Sequence, residues 1–495
     1  MRLERPEAAQ HAVAESENAP ERSLSAPSVA NTTSYPPKEV TAPTNRAIGA
    51  SRSQEGNGIS PSYTESSTDQ HLISLHRHQS AAPSSTFPSL FFLDSRAFEY
   101  GKYTIEKPLI VLPNEYLCYL GDSAETQNSM NRFFATVHSW FPIVSKLQFS
   151  QQQLELQNQG SAETELILMV MELLNQTLGE RPSSQTELYR SIKLCYSYLE
   201  MHNVFSIRLL QAAVLIALYE VANAMYPVAY LTVGHCARLG HAIGLHRQRQ
   251  APQMLPTPDT WREAEERRRV WWAIIILDRY VNIGNRHHPF ASEDAMPGDF
   301  LPVDDQSWDQ GELTVNQPLV VSTSASIHAF PFARACQSAH LLSRVIRHMN
   351  ETEMDPEFRF QEALQLHRTV QALALSLRNE SQELATNENC LAARQLFTAV
   401  ALGHSARLHL YNMYSCIDIS DVRGASSAER MEMQKIAITG LEDVSAEVFG
   451  FAKTIRQAIE LEGLSKTSIL RFFMTESSDM PVAATISITL LATLC

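Results

Sequence analysis

No two cysteines in this chain are close enough to form a C-x-x-C pair. The seven stand at 118, 195, 236, 336, 390, 416 and 495. That excludes a disulfide scaffold and a cysteine-only zinc knuckle within a short segment, and it fits free thiols in a reducing compartment. Long apolar runs are also missing. Val270–Leu277 and the C-terminal PVAATISITLLATLC are the longest, and both fall short of the ~20 residues that span a bilayer. The opening MRLERPEAAQHAVAESENAP carries no apolar stretch after its charges, so no secretory signal peptide and no membrane partner are expected. Basic excess is absent as well. With 40 Lys and Arg against 54 Asp and Glu, the net charge is −14, the wrong sign for a free-standing nucleic-acid binder. No run of five basic residues marks a nuclear import signal, and no G-x-S-x-G, Walker, G-x-G-x-x-G or H-E-x-x-H motif anchors a hydrolase, nucleotide or zinc-protease reading.

Residues 1–90 form a stretch of their own, with nine prolines, sixteen serines and few large apolar residues. Such a composition cannot bury enough surface to offset chain entropy, so a disordered tail is predicted over 1–90. It carries seven basic and nine acidic residues and is no basic nucleic-acid arm. His71, His76 and His78 in it read as solvated polar residues rather than metal ligands. From Phe91 onward the periodicity is helical almost throughout. Helices are predicted to open at Ser161, Ser184, Ser206, Pro227 and Asp259 or Thr260, with later ones over 327–349, 357–379, 390–414, 427–460 and 482–494. Strand-like alternation is nearly absent. The fold class is all-α, a body of more than ten helices, divided here into 91–325 and a C-terminal helical part over 326–495. The segment 285–320, with four prolines and two glycines, is long for an unstructured loop and reads as a functional or core-strapping one.

The most informative stretch is 231–303. Its first helix places Gly234 and Gly240 among apolar residues, where small side chains let another helix approach closely. Its second begins with Glu263, Glu265, Glu266, Arg267, Arg268 and Arg269. Glu263 precedes Arg267 by four, as Glu265 precedes Arg269, the favourable order for surface ion pairs. After Arg269 the helix is apolar on every side, from Trp271 and Trp272 to Leu277, which predicts a central buried helix. Asp278 and Arg279 follow and need partners if buried. The arginine run reads as a structural ion-pair cluster rather than a phosphate patch, and the tryptophans as core rather than ligand-stacking residues. His235, His241 and His246, at spacings of six and five, do not share one helix face. His287 and His288, before Pro289, read as solvated or capping residues.

Three elements, ARLGHAIGLHRQ (237–248), EAEERRRVWWAIIILDRY (263–280) and a loop ending in DFLP (299–302), together with the upstream RFFATVHSWFPIVSK (132–146), resemble the fungal-specific transcription factor domain, the middle homology region of zinc-cluster (Zn2Cys6) transcription factors. Their order and spacing carry the likeness over about 95–310. The residues on the family's motif are Arg238, Gly240, Gly244, Leu245, His246, Arg247, Glu263, Arg267, Arg268, Arg269, Trp271, Trp272, Asp278, Arg279, Leu301 and Pro302, and their expected role is structural. Proteins of that family usually begin with a six-cysteine cluster that holds two zinc ions and reads DNA; no such cluster occurs in these residues, and no cysteine precedes Cys118. No catalytic, DNA-binding or metal residue is identified, and no cofactor is expected in this chain.

The resemblance implies a nuclear regulator of transcription, controlling a metabolic pathway or biosynthetic gene cluster, whose helical domain answers to a partner protein or a small-molecule effector. Other transcription factors or coregulators are the expected partners, homodimer formation is open, and DNA is reached only indirectly or through an N-terminal module outside this chain. Two other readings stand beside it. One is a non-catalytic helical scaffold. The other is an all-α metal-dependent synthase of the terpenoid type, supported only by Asp304-Asp305-x-x-x-Asp309, a spacing that could chelate magnesium on a diphosphate.

Overall fold

The computed structural model describes residues 110–155, 161–176, 186–246, 255, 257–284, 288–312, 318–351, 353, 355–386, 395–416 and 427–462. The predicted tail over 1–90, the helix over 482–494 and His287 lie outside them. Every described element belongs to a single unit by contact.

The described residues are helical, as the periodicity predicts. Thirteen α-helices follow one another: α1 (Asn114–Leu117), α2 (Ser123–Ala135), α3 (Lys146–Glu155), α4 (Ala162–Asn175), α5 (Glu187–Met201), α6 (Ile207–Ala222), α7 (Val228–Ala242), α8 (Trp261–Val281), α9 (Asp305–Gln310), α10 (Pro331–Asn350), α11 (Pro356–Thr386), α12 (Phe397–Ser415) and α13 (Ser427–Glu462), with one 3-10 turn at Cys118–Leu120. Among the described residues, pairing of the strand type is limited to an isolated antiparallel bridge between Phe300 and Val320.

Local chemistry sets the helix ends. Asp122 and Glu125 form a reciprocal capping box at the start of α2, at 2.8 and 3.0 Å. The Ser206 hydroxyl accepts from the Leu209 amide at 3.1 Å and starts α6. Thr260, rather than Asp259, caps α8, its hydroxyl accepting from Glu263 N–H at 3.2 Å while the Glu263 carboxylate accepts from Asp259 N–H at 3.1 Å. Helix α5 starts at Glu187 after Thr186, later than expected; Ser184 lies outside the described residues. Helix α7 ends in a left-handed residue, Gly244 at φ 84°. Its N–H donates to His241 O at 3.1 Å and that of Leu245 to Gly240 O at 2.9 Å, the paired bonds of a Schellman motif. This fixes why the ARLGHAIGLH segment needs glycine at 244. Asn203 and Ala224, at φ 57° and 52°, close α5 and α6 in the same way.

Helices α2 and α5 pack on α4, which with α7 packs on α6, and α10, α11, α12 and α13 form a second set in which α12 touches each of the others. Helix α8 joins the two sets, lying against α6 and α7 on one side and α10 on the other. Its residues from Val270 to Leu277 are all buried, as expected for a helix apolar on every side. Gly240 of α7 makes the crossing possible: a Cβ there would stand 2.9 Å from the Trp271 ring and 3.3 Å from Ile274 Cδ1. Gly234 has no such role, since a Cβ there would meet only Ala291 at 4.0 Å. The strap 288–312 runs over this core and buries Leu301, Val303 and Trp308 in it.

Candidate functional site

The motif residues converge on α8 and the strap, where polar groups are built into the core. The Glu265 carboxylate is buried and accepts from Arg269 Nε at 2.9 Å, from the Val303 amide at 2.9 Å and from Arg268. Arg269 is fully buried. It also donates to Asp305 and to Val303 O at 2.8 Å, and its guanidinium lies 4.2 Å over the Trp308 ring. Burial alone would lower this arginine, but Asp305 and Glu265 outweigh it and hold the group above its ordinary value. Glu266 binds in the opposite direction. Its carboxylate accepts from Ser145 N–H and Gln211 Nε2, both at 2.9 Å, and from Arg208 at 3.2 Å, which fastens the turn before α3 to α6 and α8. These pairs were expected on the surface from their spacing. They lie in the interior instead, because the strap and the 142–145 turn cover the first turns of α8.

The other end of α8 repeats the device. Arg279 donates to Ser343 Oγ at 2.6 Å, Asp278 at 2.7 Å, Ser292 Oγ at 2.7 Å and Asp294 at 2.8 Å, with its guanidinium 4.0 Å over Phe290. Asp278 in turn accepts from the Ser292 amide at 2.9 Å and from Asn282 Nδ2 at 3.1 Å. Burial lowers the Arg279 guanidinium despite these carboxylates. Both ends of α8 are thus bonded to the strap, and Trp272 Nε1 adds a bond to Phe300 O at 3.0 Å between them.

The remaining motif residues lie around this frame. Leu301 and Pro302 are buried in the strap, Leu245 is buried behind Gly244, and Arg238 is exposed on α7. Arg247 lies outside the described residues. Arg267 is buried and bonds Glu263 at 2.6 Å. The turn at Gly244 brings His241 and His246 together, ring centroids 4.5 Å apart, with His241 edge-on to Trp271. A spacing of five does not put them on one helix face, and it is the turn after Ala242 that joins them; burial lowers the His241 imidazole below its ordinary value. His235 is separate, bonded to Tyr196 at 2.8 Å. Among the described residues, no group of three His, Cys, Asp or Glu could hold a metal ion.

A cleft of about 560 Å³ opens where α9 meets α2 and α3. Phe134, Pro142 and Leu147 give it apolar walls, and His138, Lys146, Asp305, Gln306, Asp309 and Gln310 are polar groups on it. This is where the aspartate run lies, and each member has a protein partner. Asp304 caps α9, accepting from Ser307 N–H at 2.9 Å and Ser307 Oγ at 2.6 Å. Asp305 bonds Arg269; burial raises its carboxyl and the guanidinium pulls it back down. Both oxygens of Asp309 lie 3.0 Å from His138 Nε2. Sequence reasoning did not single out His138, Gln211, Ser145 or Ser292. The one available signal was polar residues, His138 and Ser145 among them, set between the apolar ones of segment 132–146.

The sequence profile described as the fungal specific transcription factor domain matches residues 130–400, a span that begins in α2 and ends in α12. The chain is 35% identical over 179 residues to "Transcription factor BOA15" of Botryotinia fuckeliana, which is 36% of this chain and 98% of that relative. It is 29% identical over 158 residues to "Transcription factor tazR" of Aspergillus terreus, 31% of this chain and only 25% of that protein's length.

Proposed function

This chain belongs to the family of the fungal specific transcription factor domain, and from that premise we propose that it regulates transcription in the nucleus, through its helical body and through partner proteins, in the control of a metabolic pathway or biosynthetic gene cluster. The observation that carries the reading is the coincidence of the family match over 130–400 with one continuous bonded frame, α8 and its strap. Both relatives carry the name transcription factor.

Three features support a route through protein contacts. The charge of −14 opposes phosphate binding. Arg267 and Arg269 of the basic run are turned into the interior, and Arg268 is spent on Glu265. The thiols of Cys195, Cys236 and Cys336 are buried and pushed up, Cys195 to about 12, so they stay protonated and are poor zinc ligands. A non-catalytic role is favoured over the synthase reading because Asp304, Asp305 and Asp309 are each engaged by the protein itself.

The test is a reporter assay. Fused to a foreign DNA-binding domain, the chain should change transcription. The purified chain alone should show no sequence-dependent mobility shift on DNA across ~50–200 mM salt and should retain no stoichiometric zinc after dialysis. An inert fusion under several growth conditions would favour the scaffold reading; specific binding to DNA by the chain alone would overturn the partner route.

A further inference from the structure

We propose that the outer face of α13 is a dimer interface, on which the same helix of a second copy of this chain lies antiparallel about a two-fold axis beside position 440. This goes beyond the regulatory reading and holds or fails independently of it.

Helix α13 has two unlike faces. One packs on α12 and α11 and buries Met433, Ala437, Val444 and Val448. Gly440 sets that approach, since a Cβ there would stand 2.5 Å from the Tyr411 ring, and Glu447 bonds Arg407 at 2.5 Å and Arg378. The helix is thus anchored from one side. On the other side Met431, Ile438 and Phe449 are 61%, 47% and 63% exposed. Ile438 is seven residues after Met431 and Phe449 eleven after Ile438. At about 100° per residue the three share one line to within about 20°. Ala428 and Ala446, also exposed, flank that line. The Lys453 ammonium lies 5.3 Å over one face of Phe449 and leaves the rest of the ring open. Single exposed apolar residues are ordinary, but a line of them on a helix already held by its opposite face is a surface built for another helix.

Two charges on the same line choose the occupant. Lys435 and Glu442 stand between the apolar residues, within about 40° of the line. Both are exposed, and neither is held by an ion pair among the described residues. A parallel copy would set lysine against lysine and glutamate against glutamate. An antiparallel copy does the reverse. With the axis beside 440, Met431 faces the partner's Phe449, a sulfur–ring contact. Ile438 then lies beside its own mate near the axis. Lys435 comes within one turn of the partner's Glu442, a span its four-carbon stem covers. Each cross-pair is made twice, as a two-fold interface requires. The apolar alternative within the chain, PVAATISITLLATLC, carries no charged side chain to answer Lys435 and Glu442. Size sets the strength. Met431 to Phe449 is about five turns, and two helices meeting over that length bury on the order of 1,000 Å², the low end of specific interfaces. The dimer is therefore reversible, with a Kd on the order of micromolar.

The experiment is sedimentation equilibrium of the full chain over about 1–100 μM, at low and moderate salt. The chain should associate to a dimer, more weakly as salt rises. Lys435→Glu and Glu442→Lys each put like charges across the axis and should each weaken the dimer by at least about tenfold. Mixed in equal amounts, the two variants should associate again, because each then supplies the charge the other needs. The double variant Lys435→Glu, Glu442→Lys should dimerise as the unaltered chain does. Ile438→Glu, which sets two carboxylates side by side near the axis, should leave monomers. All these side chains are exposed, and circular dichroism checks each fold; should Ile438→Glu unfold, the charge series decides alone. A chain that stays monomeric throughout, a dimer indifferent to the single charge changes, or single variants that remain apart when mixed would each overturn the proposal.

Discussion

Replacing Arg269 with methionine is the sharpest test of the buried frame. The side chain is fully buried and methionine fills similar space without charge. The substitution strands the Val303 carbonyl, which accepts from Arg269 at 2.8 Å; an unsatisfied buried acceptor costs about 1–3 kcal/mol. Glu265 fares better than a lone carboxylate, because it keeps the Val303 amide at 2.9 Å and Arg268. Asp305 is 22% exposed and can turn to water. The cation–ring contact with Trp308 at 4.2 Å is lost as well. The sum should fall at about 3–5 kcal/mol, the range for removing one partner of a buried pair. Urea denaturation followed by tryptophan fluorescence reads it directly, because Trp308 lies against the guanidinium and Trp272 is bonded to the strap. Arg347→Met, which removes the exposed partner of Asp294, should cost no more than about 1 kcal/mol. An Arg269→Met loss below about 1 kcal/mol would mean that water enters under the strap, and the argument from burial would fail.

Other outcomes follow from local geometry. Trp272→Ala should cost about 3–5 kcal/mol for a buried ring, while Trp272→Phe should lose chiefly the bond to Phe300 O; chemical denaturation of both separates the two parts. Gly240→Ala should destabilise by about 1–3 kcal/mol, because its Cβ would meet Trp271 at 2.9 Å, partly offset by the better helix propensity of alanine. Ala224→Gly should instead raise the denaturation midpoint, since an alanine held at φ 52° bears about 1 kcal/mol of left-handed strain. Burial lowers His340 and His404 to about 4, with Glu447 opposing and Arg407 and Arg378 assisting at His404. The unfolded chain therefore takes up protons at these sites below about 6.5 while the folded one does not until about 4. Stability is full above that window and falls as pH drops through it, by up to about 3 kcal/mol per histidine. The double His340→Gln, His404→Gln variant should flatten the slope of stability between pH 6.5 and 4.

Periodicity made the helices legible, and α8 above all, because a run such as Val270–Leu277 admits no exposed face. Gly240 could be read as a close-approach residue on the same logic, whereas Gly234, in an equally apolar setting, faces only the strap. What spacing could not supply was the third dimension of the polar residues. Glu265 and Arg269 at i, i+4 look alike whether water or a strap covers them, and only the burial of Val303 and Trp308 decides. The aspartate run was ambiguous for the same reason: three carboxylates near one another in sequence are given to a helix cap, an arginine and a histidine. His138 was illegible because its partner lies 171 residues away.

The bonds of α8 also impose an order in time. A chain emerging from the ribosome has the partners of Glu266 in hand early, at Ser145, Arg208 and Gln211. Those of Arg269 and Arg279 arrive later, at 303 and 305 and at 292, 294 and 343. Until then the central helix carries two arginines destined for the interior with no carbonyl or carboxylate of the strap to receive them. It can dock one face on α6 but cannot close, and contacts of such long sequence separation are slow to form. A nascent chain halted near residue 325 would hold its α8 half-wet, and the last of these acceptors to arrive is the Ser343 hydroxyl of α10, which completes the ring around Arg279.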